Sequence, residues 1–251
     1  RDQTVIATKV RGAMSEAAQE GTGDVNNVGL SRKHIMTSCE NSLHRLDTDY
    51  IDLYQIHGYD PVVPWEETLG ALADLVRQGK VRYVGCSNLA ARHIMKANGL
   101  AALHDWAPFV SLQAYYSLVG RDLEHELLPL CREEGLGTMI WSPLAGGFLT
   151  GKFRRDEEDG PEGARRVDFD FPPIDKERAY EVEELLDEMA AAKDATIPQL
   201  ALGWLLEQGV STVILGAKKM DQLDDNLGAI DISFTDEELE RLDELTKPTP
   251  Q

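Results

Sequence analysis

The sequence predicts an α/β protein whose parallel sheet closes into a barrel. Strand-like and helix-like segments alternate along the chain, which favours parallel strands. No Gly-x-Gly-x-x-Gly motif follows a strand, which argues against an open dinucleotide-binding sheet. Polar or aromatic residues stand where the strands end, and barrel enzymes place their active sites at that face. These residues are Lys9, His57, Ser87, Asn88, Gln113, Trp141, Ser142, Gly216, Ala217 and Lys218.

Six short apolar or β-branched runs are the predicted strands. A parallel strand that is covered on both faces is nearly continuously apolar, and these runs fit that pattern. In chain order the runs are 4–10, 49–58, 81–86, 109–116, 137–143 and 212–216. The run 49–58 ends abruptly in His57, which is either a site residue or a loop histidine when it is considered alone.

The predicted helices lie between and after these strands. Residues 11–30 hold four glycines and read as a loop, after which Ser31 has the character of an N-cap. Ile35, Leu43 and Leu46 mark the expected buried face of the first helix, and Gly79 is the expected stop of the second. The remaining helices are 65–78, from about 90, 123–134, 176–193, 198–207, 221–227 and 235–245, the last opening on a capping box.

The chain reads as a single domain over 1–251, with residues 148–173 as a long active-site or cofactor loop. Its net charge of −19 and its pI of about 4.6 argue against nucleic acid or an anionic membrane as a partner. The acidic run 181–188 is expected to be a solvated helix face. No apolar run is long enough to cross a bilayer, and no basic-then-apolar leader opens the sequence.

Three widely spaced cysteines suggest neither a metal site nor a disulfide framework, so we expect a cytoplasmic protein. We expect no bound metal, because only His57 among the strand ends is a common metal ligand. A metal-dependent barrel hydrolase is therefore disfavoured.

Several segments together resemble the aldo-keto reductase family, in its bacterial NADPH-dependent type. Each segment is weak alone, but their order and spacing are specific. The segments are 6–9, 53–57, 79–88, 113–117, 141–147, 214–218 and Asn226. The resemblance implies a (β/α)8 barrel that reduces aldehydes or ketones to alcohols with NADPH.

The resemblance also implies a catalytic set of Asp, Tyr, Lys and His, of which Lys9 and His57 are present. The tyrosine would protonate the carbonyl oxygen, and a nearby ammonium favours its phenolate, so its pKa falls toward working pH. The histidine would orient and polarise the carbonyl.

The same resemblance assigns the cofactor positions. Ser87, Asn88 and Gln113 would bind the nicotinamide carboxamide, and Trp141 would stack on the ring. Lys218 would neutralise the 2′-phosphate of NADPH, and Gln222 stands where some relatives carry an arginine. The pyrophosphate and adenosine positions are Ser142, Pro143, Leu144, Gly146, Gly216, Ala217, Gln222 and Asn226.

No residue can be named for the family's aspartate or tyrosine. The resemblance implies that the first strand of this chain is the third barrel strand, so we expect strands 3 to 8 to be represented and two βα units to be missing. Such a chain is expected to be inactive, and a non-catalytic cofactor-binding barrel module is the alternative function. The substrate pocket is expected to be built from loops, including 148–173 and the C-terminal tail.

Overall fold

All strands that pair in the structure run parallel, as the alternation of segments predicted. The structure is a computed structural model that describes residues 1–155 and 164–248. Its strands are β1 (Ala7–Val10), β2 (Ile51–Ile56), β3 (Val81–Ser87), β4 (Phe109–Tyr115), β5 (Gly137–Trp141) and β6 (Thr212–Val213). The pairs β1–β2, β2–β3, β3–β4 and β5–β6 are parallel.

Ten α-helices occur among the described residues. They are α1 (Glu16–Gln19), α2 (Arg32–Leu46), α3 (Trp65–Arg77), α4 (Ala91–His104), α5 (Leu127–Glu134), α6 (Arg165–Asp168), α7 (Lys176–Lys193), α8 (Ile197–Glu207), α9 (Met220–Leu227) and α10 (Asp236–Thr246). The chain divides into two compact units, residues 1–113 with 129–137 and residues 114–128 with 138–251.

The first unit is a layer of strands covered by helices. The side chains of Ile35, Tyr54, Leu72 and Ile94 come from α2, β2, α3 and α4, and all are fully buried. Burying four such side chains removes a large apolar area from water, which is the main favourable term in folding. The second unit has its own core, which includes Tyr116, Phe148, Leu186, Leu200, Trp204 and Leu242.

The helix ends follow the capping residues of the sequence. Ser31 caps α2 by accepting from the His34 backbone N–H, and Gly79 has a φ of +73°, the left-handed conformation expected after α3. Thr235 and Glu238 form the predicted capping box of α10.

Several predicted boundaries were wrong. Strand β1 begins only at Ala7, and β6 stops at Val213 rather than at Gly216. The loop 11–30 contains α1 and a 3-10 turn at Val25–Asn27. Leu46 is exposed rather than buried, because it is the last residue of α2.

The predicted helix 123–134 and the predicted long loop also differ in detail. The first residues of the predicted helix 123–134 form a 3-10 turn at Asp122–Glu124, and α5 starts only at Leu127. Within 148–173, residues 156–163 lie outside the described part of the chain, and α6 occupies Arg165–Asp168. Helix α8 starts one residue before the predicted Pro198, because Thr196 forms a capping box with Gln199.

The acidic run on α7 is only partly a solvated face. Glu181, Glu184 and Glu188 are exposed, whereas Glu183 is 2% exposed and packs into the second unit. The expectation was therefore wrong for Glu183. Cys39, Cys86 and Cys131 are all buried free thiols. None of the described helices has the length and apolar content needed to cross a membrane.

Candidate active site

Strand β2 separates a helix-facing side from the side that carries polar residues. The Tyr54 hydroxyl donates to the Ile35 carbonyl of α2, so Tyr54 faces the helices. Successive side chains of a strand point to opposite faces, which places Gln55 on the other side. His57 follows two residues later, and its N–H continues the ladder by donating to the Val10 carbonyl at 2.9 Å. Gln55 and His57 therefore share the face away from the helices.

The strand register brings the predicted site residues of the first unit onto this same face. Lys9 pairs with Gln55, and Gln55 pairs with Gly85 on β3. Ser87 lies two residues beyond Gly85 and pairs with Gln113 on β4. Directly paired residues of neighbouring strands point to the same side of a sheet. We call this surface the polar face; it comprises Lys9, Gln55, His57, Gly85, Ser87, Ser111 and Gln113.

Lys9 and His57 are electrostatically linked on the polar face. Partial burial lowers the pKa of Lys9. The pKa of His57 is lowered first by desolvation and then by the positive charges of Lys9 and Arg11. Both effects favour the uncharged forms of the two side chains.

Ser87, Asn88 and Gln113 are held together where β3 and β4 end. The Asn88 N–H donates to the Gln113 carbonyl at 3.1 Å, and Asn88 adopts a left-handed φ of +53°. The Asn88 side-chain amide lies 3.5 Å from the His57 carbonyl oxygen. Ser87 is 1% exposed, and its hydroxyl has no hydrogen-bond partner among the described residues. A buried hydroxyl without a partner is costly, and it is available to a ligand.

In the second unit, the segment after β5 forms a concave turn. Ser142 and Ala145 have φ values near +50°, and Gly146 and Gly147 follow with +68° and +98°. The Ala145 N–H donates to the Ser142 carbonyl at 2.8 Å. The Gly147 N–H donates to the Leu144 carbonyl at 2.9 Å, so backbone hydrogen bonds within the segment close this turn. Leu144, with φ −98° and ψ 24°, precedes the left-handed residues.

Trp141, at the end of β5, is surrounded by aromatic side chains that the sequence did not reveal. Its ring stacks on Phe171, with 5.6 Å between centroids and 7° between planes. The Tyr115 ring is tilted by 34° to that of Trp141, with 5.1 Å between their centroids. Arg166 holds the segment that carries Phe171, since it donates to the carbonyls of Ala145 and Pro172, each at 2.7 Å. Arg166 and Phe171 fall in the predicted loop, where no local periodicity marks them.

Gly216, Ala217 and Lys218 follow β6, which pairs with β5. They therefore lie beyond the same strand ends as the turn after Trp141. The Gln222 side chain accepts from the Lys218 N–H at 2.9 Å and closes the turn before α9. Lys218 itself is exposed. The Lys218 ammonium is therefore available to an anion, whereas the Lys218 backbone N–H already donates to Gln222.

Asn226 lies at the buried end of α9, and this end is fixed to α8. Asn226 is 7% exposed. The Thr196 hydroxyl donates to the Asp225 carboxylate at 3.1 Å, and the Gln199 amide donates to the Asp225 carbonyl at 2.9 Å. Gly228 fits against Gln199, whose amide nitrogen would lie 2.5 Å from an added Cβ. Helix α9 is thereby positioned by side chains of α8.

No group of three or more His, Cys, Asp or Glu side chains suited to a metal ion occurs in the described ranges 1–155 and 164–248.

Comparison with known proteins identifies the family. The model of the aldo/keto reductase family matches residues 1–247. The uncharacterized oxidoreductase YrpG of Bacillus subtilis is 39% identical over 248 residues, which are 98% of this chain and 72% of YrpG. An aldo-keto reductase of Fusarium vanettenii is 33% identical over 94% of this chain and 63% of its own. The versiconal hemiacetal acetate reductase of Aspergillus parasiticus is 34% identical over 90% and 66%.

The chain spans 63 to 72% of the length of these relatives. Because the family match starts at residue 1, it gives no support to the expected loss of two βα units. The assignment of the six strands as strands 3 to 8 stays a prediction. A match over residues 1–247 is nevertheless decisive for membership: the chain belongs to the aldo/keto reductase family, whose members are (β/α)8 barrels.

Proposed function

We propose that this protein is an oxidoreductase that reduces an aldehyde or ketone to an alcohol with NADPH. The observation that carries the proposal is the polar face, where Lys9, His57, Ser87 and Gln113 share one side of the sheet of the first unit. Family membership and the names of relatives support carbonyl reduction in general. The substrate in this proposal is a small carbonyl compound.

The residues present fit a nicotinamide cofactor. The buried Ser87 hydroxyl, which lacks a partner among the described residues, can bind a carboxamide together with Gln113. Gly146 has a left-handed φ, and an added Cβ there would meet the Phe171 carbonyl at 2.5 Å. Only glycine fits at this position, which follows the strand end where the resemblance places the pyrophosphate. Lys218 would bind the 2′-phosphate, and the bound cofactor would supply a hydride.

The chain's own residues would prepare the carbonyl for reduction. Desolvation and the positive charges of Lys9 and Arg11 lower the pKa of His57 and so favour the neutral imidazole, whose ring N–H could donate to a carbonyl oxygen without carrying a charge. The ammonium of Lys9 would stabilise negative charge that develops on that oxygen or on a neighbouring proton donor. Ser87 and Gln113 would orient the reacting ring, which reduces the entropic cost of reaction.

One observation favours the second candidate, a cofactor-binding module without catalysis. Among the described residues of the first unit, no tyrosine hydroxyl hydrogen-bonds to Lys9 or His57; that of Tyr54 is directed to α2. Without a proton donor beside Lys9 and His57, the protein would bind NADPH but would not complete the reduction.

Loss of the His57 imidazole should reduce turnover. We expect His57→Ala to lower kcat for aldehyde-dependent NADPH oxidation by about 100-fold or more, because a positioned acid or hydrogen-bond donor contributes at least that much. The measurement is the decrease in absorbance at 340 nm with an aromatic aldehyde, and His104→Ala, in α4, is the control. Equal turnover in wild type and His57→Ala would remove His57 from the site. NADPH binding without any wild-type turnover would favour the binding module.

Lys218 should determine the preference for NADPH. We expect Lys218→Ala to weaken NADPH binding about tenfold and to leave NADH binding unchanged, since only NADPH carries the 2′-phosphate that the exposed ammonium would meet. Calorimetric titration with each cofactor gives both dissociation constants. Lys219→Ala is the matched control one residue away. Equal weakening for NADPH and NADH would contradict the assignment.

A further inference from the structure

Arg166 is a buried arginine whose ion pair does not explain its burial. The residue is 4% exposed. Its carboxylate partner, Asp170 at 2.9 Å, is half exposed and is shared with Lys176 at 3.1 Å. The Arg166 Nε–H has no hydrogen-bond partner among the described residues. Because a buried charge is costly unless it is well paired, the remaining contacts of this guanidinium call for an explanation.

The shortest contacts of Arg166 go to backbone carbonyls of two separate segments. Its Nη1 donates to the Ala145 carbonyl and its Nη2 to the Pro172 carbonyl, each at 2.7 Å, and both hydrogen bonds are buried. Hydrogen bonds from a charged donor are about twice as strong as neutral ones. One guanidinium thus joins the turn after β5 to the segment that carries Phe171.

The turn after β5 is strained, so a contact from outside it matters. Ser142 and Ala145 are not glycines, yet both have φ values near +50°. A non-glycine residue in this conformation costs free energy and persists only where the surrounding structure holds it. Hydrogen bonds inside the turn join Ala145 to Ser142 and Gly147 to Leu144. Arg166 adds a hydrogen bond from another segment at the strained Ala145.

The second contact of Arg166 holds the aromatic ring that stacks on Trp141. The Pro172 carbonyl follows Phe171 directly in the chain. The ring of Phe171 lies 5.6 Å from that of Trp141, with 7° between their planes. A Cβ added to Gly146 would meet the Phe171 carbonyl oxygen at 2.5 Å, so the turn and this segment are in close backbone contact. Since stacked rings stabilise each other, a displacement of the segment would disturb the Trp141 ring.

We propose that Arg166 is a positioning residue of the cofactor site, which acts on the pyrophosphate position through the Ala145 carbonyl and on the nicotinamide position through the Phe171 ring. This role rests on the proposed function, in which the pyrophosphate lies at the turn after β5 and the nicotinamide on Trp141. Groups that are held in place before a ligand arrives reduce the cost of binding it. Both cofactor groups occur in NADPH and in NADH, so Arg166 affects the two alike, in contrast to Lys218.

Calorimetric titration of Arg166→Met with three ligands tests this role. Methionine keeps a long unbranched side chain and removes the donors. We expect the dissociation constants of NADPH and NADH to rise about tenfold, because the loss of a hydrogen bond from a charged group costs about that much. Adenosine 2′,5′-bisphosphate contains neither pyrophosphate nor nicotinamide, and its dissociation constant should stay within about twofold. A general loss of structure would weaken all three ligands together.

Arg178→Met is the matched control. Arg178 also donates to two backbone carbonyls, those of Leu245 and Lys247 at 2.7 and 2.9 Å, but it does so at the C-terminal end of α10. This variant should leave all three dissociation constants within about twofold. A folded Arg166→Met protein in which the binding of NADPH changes no more than that of adenosine 2′,5′-bisphosphate would overturn the proposal.

Fluorine NMR of the unbound protein, labelled with 5-fluorotryptophan, tests the link to Trp141 without a cofactor. The Trp141 signal is assigned by its loss in Trp141→Phe. We expect this signal to shift in Arg166→Met, while the signals of the other tryptophans stay in place. An unshifted Trp141 signal would contradict the proposed link.

Phe171→Leu takes the place of Arg166→Met if the latter does not fold. Phe171 is 41% exposed, and Arg166 binds the backbone beside it rather than its ring, so this variant keeps the hydrogen bonds of Arg166. The same shift of Trp141 and the same difference between NADPH and adenosine 2′,5′-bisphosphate are expected. Failure of the wild type to bind either cofactor would reject the proposed function and this role with it. Normal wild-type binding that the variants leave unchanged would reject the role alone.

Discussion

Replacing Glu124 by alanine should lower the free energy of unfolding by about 3 kcal/mol. The Arg121 side chain is 4% exposed, and Glu124 accepts from two of its nitrogens at 2.6 and 2.9 Å. Glu124 also accepts from the Tyr116 hydroxyl at 2.6 Å. Without this carboxylate, the hydrogen-bond partners left to the buried guanidinium among the described residues are Asp243 and Thr246, at 2.6 and 2.7 Å. An incompletely paired buried charge is strongly destabilising.

Urea unfolding followed by tryptophan fluorescence measures this effect, because Trp204 lies 5.0 Å below the Arg121 guanidinium. Glu133→Ala, at an exposed position of α5, is the control and should change stability by less than about 0.5 kcal/mol. If Glu124→Ala cost no more than this control, the buried network would not stabilise the second unit.

The contribution of Glu183 to the free energy of unfolding should fall by about 2 to 3 kcal/mol between pH 5 and pH 8. Burial is the main cause that raises the pKa of Glu183 to about 7. Asp187 and Glu184 raise it further, whereas Arg154 and a hydrogen bond from the Gly151 backbone N–H lower it. The folded state therefore binds the proton more tightly than the unfolded state. This contribution is fully present below about pH 4.5, and it is lost as the pH rises through 7.

Glu183→Gln removes this titration and isolates its effect. We expect the difference in unfolding free energy between pH 5 and pH 8 to shrink by about 2 to 3 kcal/mol in this variant. Glu181→Gln changes an exposed carboxylate on the same helix and should retain the wild-type pH dependence. Parallel pH profiles for wild type and Glu183→Gln would show that the buried carboxyl does not control stability in this range.

The sequence predicted those structural features, such as helix ends, that depend on residues close together in the chain. The Ser31 cap, Gly79 and the Thr235–Glu238 capping box act within one helical turn, and each was confirmed. The alternation of strands and helices likewise gave the parallel pairing. These signals are local because the backbone N–H and C=O groups that they pair lie at the ends of the same helix.

Interactions between distant residues could not be predicted from the sequence. Arg121 meets Asp243 across 122 positions, and only the folded second unit joins them. Glu183 belongs to a run of acidic residues, and its burial depends on which side of α7 packs inward. Gln55 stands in an apolar run, and its neighbour Lys9 is set by strand register. The resemblance to the family identified the candidate site residues. The strand register then showed that those of the first unit share one face of the sheet. Their roles in binding and catalysis remain proposals.

Titration of the protein with NADPH in a calorimeter tests the central proposal most directly, since catalysis and simple cofactor binding both require this complex. We expect saturable binding of NADPH at one site per chain, tighter than that of NADH and weakened by Lys218→Ala. No saturable binding of either cofactor to the folded protein would contradict it.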